Sequence, residues 1–64
     1  MGHLKLQPLS RVDRALLDDR VEDQSELAVA QAARTTRLAI ARARLGLRLK
    51  TPTREKICAF LHGR

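Results

Sequence analysis

A small all-α domain of three or four helices, preceded by a short extended arm, is predicted by three observations. The chain is 64 residues long, with Phe60 its single aromatic residue. Its apolar side chains are otherwise mainly Leu, Ala, Val and Ile, which suit helix-on-helix packing better than a sheet sandwich. Helix-start signals recur at Ser10, Asp23 and Thr51. A chain of this length holds one domain, 1–64, and buries only about 60% of its unfolded surface. Self-association as a homodimer would supply further burial.

The arm is residues 1–9 and the helical part 10–64. His3 to Gln7 alternates with period two and stops at Pro8, as a short extended segment would. Ser10 then caps a first helix over residues 10–21. Asp13 adds negative charge near its N-terminus, and Val12, Leu16 and Leu17 supply apolar positions. Residues 23–26 have the form of a capping box, with Asp23 as the cap and Glu26 reaching back, and a second helix follows.

Where that helix stops is open. Arg34-Thr35-Thr36-Arg37 contains β-branched residues that cap well, but no glycine or proline to force a break. On one continuous helix over residues 25–49, Leu27, Leu38, Leu45 and Leu49 form one apolar stripe, and Val29, Ala33, Ile40 and Leu47 a second. Arg37, Arg44 and Arg48 form a cationic ridge between the stripes, with Arg34 nearby. That regularity favours continuity, and a turn at residues 34–36 is the alternative. The helix is expected to end near Gly46, giving way to an extended segment able to pair with the arm. Thr51 as cap and Pro52 at the first helical position start the last helix. Ile57, Phe60 and Leu61 are its buried face, and Gly63 its terminator.

The formal charge of +6 conceals a division. Residues 1–26 carry four Lys/Arg against six Asp/Glu, a net −2, whereas residues 27–64 carry nine against one, a net +8. Arg34, Arg37, Arg42, Arg44, Arg48, Lys50, Arg54 and Lys56 place eight cations within 23 residues beside one acid, Glu55. Such density points to a polyanion. Without aromatic stacking platforms, single strands and RNA loops are poor ligands, so duplex DNA is the expected partner. An acidic protein, docked on the same helix by an adaptor or inhibitor, is the alternative.

Other chemistry finds little support. Asp19, Glu22, Asp23 and Glu26 share helical spacing, but a carboxylate metal site wants facing helices and commonly a histidine. A solvated face, or pairing with the arginine ridge, fits them better. Cys58 has no neighbouring base in sequence and reads as core packing. His3 and His62 stand alone. There is no phosphate-binding glycine loop or nucleophile elbow. No catalytic residue, metal ligand or cofactor is therefore expected, and the chain is not expected to be an enzyme. With one cysteine, no signal-peptide-like apolar stretch and no run of about 20 apolar residues, a cytoplasmic protein without a membrane span is expected.

Segment 26–45 resembles the helix-turn-helix of lambda-repressor and LacI-like DNA-binding domains. Ala30 stands where that motif has a small residue and Ile40 where it has a packed aliphatic, and segment 51–57 is similar to the start of the following helix. The resemblance covers about half the chain and departs at Arg34, where the motif usually has glycine. It implies a transcriptional regulator in which Thr36, Arg37, Ala41 and Arg42 face the major groove while Arg48, Lys50 and Arg54 meet phosphates. With the ridge residue Arg44, these make the candidate set Thr36, Arg37, Arg42, Arg44, Arg48, Lys50 and Arg54. Segments 9–17 and 26–29 are also similar to the first helix of AroQ-type chorismate mutases, but that family's arginine falls near Asp23 or Gln24 here.

Overall fold

In the computed structural model, which describes residues 6–63, Ser10 caps α1 (Arg11–Gln24) by accepting the Asp13 N–H on its hydroxyl at 3.1 Å. α2 (Glu26–Ala33), α3 (Arg37–Arg44) and α4 (Thr51–His62) follow, and the described residues are all-α. His3 and the start of the arm lie outside the described residues.

α1 runs three residues beyond its expected end, and Asp23 belongs to it rather than capping α2. Ser25 takes both tasks. Its N–H donates to the Val21 carbonyl at 2.8 Å, closing α1, and its hydroxyl accepts the Ala28 N–H at 3.2 Å, opening α2. The break between the two helices is thus confined to one residue, whose φ of 112° a side chain rarely adopts.

The chain turns between α2 and α3, so the continuous helix does not form. Arg34 is left-handed, at φ 60° and ψ 44°. Its N–H donates to the Gln31 carbonyl at 3.2 Å and the Thr35 N–H to the Ala30 carbonyl at 2.9 Å, the paired bonds of a Schellman ending. Thr36 then caps α3, its hydroxyl accepting the Ala39 N–H at 3.1 Å. α3 closes with the same pair of bonds, Gly46 to Ala43 and Leu47 to Arg42, both 3.1 Å, with Gly46 at φ +75°.

These two endings predict mutations of opposite sign. A left-handed conformation costs a non-glycine residue about 1–2 kcal/mol, and a new glycine gives back about 0.4–1 kcal/mol through unfolded-state entropy. Arg34→Gly is therefore expected to stabilise by about 0.5–1 kcal/mol. Gly46→Ala is expected to destabilise by a similar amount, because alanine is strained at φ +75°, while the Arg14 guanidinium 2.8 Å from the new Cβ is the end of a flexible side chain that can move aside. Thermal melting of both variants checks this; about 1 kcal/mol moves the midpoint by roughly 4–8 °C in a domain of this size.

The core comprises Leu9, Leu17, Val29, Ala30, Ile40, Ala43, Leu49, Ile57 and Leu61, with Leu16, Val21, Cys58 and Phe60 packed at its edge. The turn resets the helical register, so the stripes of an unbroken helix do not survive. Val29, Ala33, Ile40 and Leu49 are buried, whereas Leu27, Leu38, Leu45 and Leu47 are exposed. Val12 also faces solvent, on the far side of α1 from Leu17. The segment after Gly46 does pair with the arm: Gln7 and Leu49 exchange both backbone bonds, at 3.1 and 2.9 Å, in an isolated antiparallel bridge.

α4 begins at Thr51, so the flanking residue is Lys50, one position before the expected cap. Ile57 and Leu61 are buried, Phe60 is half-buried, and Gly63 ends the helix at φ +69°. α1 and α2 each pack against all the other helices, while α3 and α4 scarcely touch. Leu6, Gln7 and residues 47–50 run beside the gap between them.

Candidate nucleic-acid interface

α3 is held by its back and open on its front. Ile40 and Ala43 are buried. At about 100° per residue, the opposite direction belongs to Leu38, with Arg42 on one side and Ala41 and then Arg37 on the other. Thr36, Arg37, Leu38 and Arg42 are exposed and Ala41 is partly so.

Beside this face lies a cleft of about 310 Å³ lined by Thr36, Leu38, Arg42, Arg48, Lys50 and Thr53, with Leu6, Ala39 and Leu49 completing it. Three cations and two hydroxyl-bearing residues line it, and no carboxylate does. Arg37, Arg42, Arg48 and Lys50 form no ion pair among the described residues.

Arg44 is different. Its Nε donates to Asp18 Oδ1 at 2.9 Å and its Nη1 to Glu26 Oε2 at 3.0 Å, clamping α3 to α1 and α2. Hydrogen bonds to Asp18 and then Glu26 push its already high pKa further up, so it stays charged. The groups are part-exposed, which limits each pair to about 0–1 kcal/mol, and the clamp's effect is chiefly to fix orientation. Arg44 therefore leaves the ridge. Pairing between the acidic and basic segments exists, but it takes up this one arginine, while Asp19, Glu22 and Asp23 point to solvent.

Arg54 does not line the cleft either. Its helical position turns it toward Cys58, whose thiol feels its charge, and its Nε is buried without a hydrogen-bond partner among the described residues. Thr53, one residue earlier, occupies the place expected for it. The structure thus gathers Thr36, Arg42, Arg48 and Lys50 around one cleft with Arg37 on the adjoining face, and separates Arg44 and Arg54 from them. Leu38 and Thr53 were missed because neither carries charge, and their placement depends on the turn at Arg34.

On the other side of α4, Asp13 joins two residues that looked isolated in sequence. His62 Nε2 lies 2.9 Å from Asp13 Oδ1, and the Cys58 thiol donates to Asp13 Oδ2 at 3.7 Å. Burial first, and then the Asp13 charge, push the Cys58 thiol up in pKa, which disfavours the nucleophilic thiolate. Cys58 is therefore expected to alkylate with iodoacetamide at neutral pH more slowly than in the urea-unfolded chain, and Asp13→Asn should quicken it. Among the described residues no group of three or more His, Cys, Asp or Glu is placed to hold a metal ion. No helix among them is long and apolar enough to cross a membrane.

Compared with protein-family models, curated proteins and solved structures, the chain matches none.

Proposed function

We propose that this protein binds duplex DNA through α3, as a small helix-turn-helix transcriptional regulator. The observation that carries the reading is the carboxylate-free cleft of Arg42, Arg48 and Lys50 beside the open face of α3. Thr36, Arg37, Ala41 and Arg42 would meet base edges, and Arg48 and Lys50 phosphates. The turn at Arg34 supports it, because it frees α3 from the line of α2 and leaves its front unpacked. A homodimer is part of the proposal, since the core is small and Leu27 and Leu47 remain half exposed.

Fluorescence anisotropy of a labelled mixed-sequence duplex, titrated at two salt concentrations, tests this. With Arg48 and Lys50 on phosphates, affinity should fall about tenfold between roughly 50 and 200 mM salt. Absence of binding at the lower salt would remove the proposal.

A docking surface for an acidic protein is the second reading, and the exposed leucines of α3 favour it. Its sign would be an acidic peptide competing with duplex at equal charge concentration.

A further inference from the structure

The centre of the open face of α3 is apolar. Directly opposite buried Ile40 and Ala43 stand Leu38 and Leu45, with Ala41 beside them. Leu38 keeps 60% of its surface exposed and Leu45 72%, in a chain with little core to spare. Arg37 flanks this line on one side, and Arg42 on the other. Across the cleft Arg48 and Lys50 extend the second flank.

An apolar line between two cationic banks is complementary to a major groove, whose floor carries thymine methyl groups and whose walls are phosphates. A helix about 10–12 Å across with its side chains fits a groove about 12 Å wide. The cleft beside α3 adds three cations, Arg42, Arg48 and Lys50, to apolar Leu6, Leu38, Ala39 and Leu49, and no carboxylate lines it.

Resting on the duplex-DNA reading above, we infer that Leu38, with Ala41 beside it, reads the 5-methyl group of thymine, so that preferred sites carry a thymine at a fixed position under α3. No hydrogen bond is needed for this selection. Burying one methyl against Leu38 removes it from water, and the gain is of the size of one buried methylene.

The test enriches bound duplexes from a random-sequence pool and then replaces each thymine of the enriched sequence by deoxyuridine, which lacks only that methyl. At one position the replacement is expected to weaken the wild-type protein about fourfold. Leu38→Ala, an exposed substitution that leaves the core intact, should bind the two duplexes equally. Equal wild-type affinity for thymine and deoxyuridine at every position, with steep salt dependence retained, would overturn this inference and leave DNA binding standing. Deoxyuridine sensitivity that persists in Leu38→Ala would also overturn it. If no duplex is enriched or bound at low salt, both readings fall together, and Leu38-dependent capture of an acidic peptide would then assign the face to a protein.

Discussion

Replacing Arg42, Arg48 and Lys50 together by alanine is expected to lower duplex affinity on the order of a hundredfold near 0.1 M salt. Each phosphate contact releases about 0.9 of a counterion, so losing the two phosphate contacts of Arg48 and Lys50 should also flatten the slope of log affinity against log salt by about 2, while losing Arg42 removes a base contact. All three side chains are exposed and none forms an ion pair among the described residues, so the far-UV circular dichroism should not change. The comparison that gives the result meaning is Arg44→Ala. Arg44 carries the same charge but is held by Asp18 and Glu26, so its loss should reach affinity only through the orientation of α3. An Arg44→Ala defect in the salt slope as large as that of Arg48→Ala would show that charge count, rather than placement, governs binding.

Ile57→Ala is expected to have the largest effect on stability. Ile57 is fully buried where α4 meets the rest of the core. Truncating an isoleucine in such a place costs about 2–5 kcal/mol, because the cavity left behind collapses only in part. A single core of this size rarely supplies more than about 3–5 kcal/mol in total. The variant should therefore be substantially unfolded at room temperature by circular dichroism and should lose its urea transition. Ile40→Ala should behave alike, since Ile40 is as deeply buried on α3. If both variants melted within a few degrees of the wild type, the core described above would be wrong.

The start of α1 and the ends of α3 and α4 were legible in the sequence, whereas Asp23, read as a cap, lies inside α1. Ser10, Gly46 and Gly63 each do what their residue types imply, because hydroxyl capping and left-handed glycine are local properties. The pairing of the segment after Gly46 with the arm was also readable, from two short alternating stretches. What local rules could not decide was the chain between residues 23 and 37. Ser25 and Arg34 both adopt left-handed or extreme φ values that their side chains disfavour, and tertiary packing of α2 and α3 around Val29, Ala30 and Ile40 compensates for them. A reading based on propensity assigns such positions to helix.

That one turn then controls how much of the site was foreseen. On an unbroken helix Arg37, Arg44 and Arg48 share a ridge. Once Arg34 turns the chain, Arg44 swings to Asp18 and Glu26, and the free cations regroup as Arg37, Arg42, Arg48 and Lys50. Arg54 was misplaced for a different reason, since its side of α4 is set by Ile57 and Leu61 seeking the core, which turns Thr53 to the cleft. The association of Asp13 with Cys58 and His62 joins residues 45 and 49 positions apart, and no local pattern reports it.

The central claim, that the open face of α3 and its neighbouring cleft receive duplex DNA, is tested most directly by following backbone amide resonances as a duplex is titrated into labelled protein. The largest shifts are expected at Thr36, Arg37, Leu38, Ala41, Arg42, Arg48 and Lys50, with the exposed acidic side of α1 at Asp19, Glu22 and Asp23 unmoved. Shifts centred on α1, or none at low salt, would contradict it.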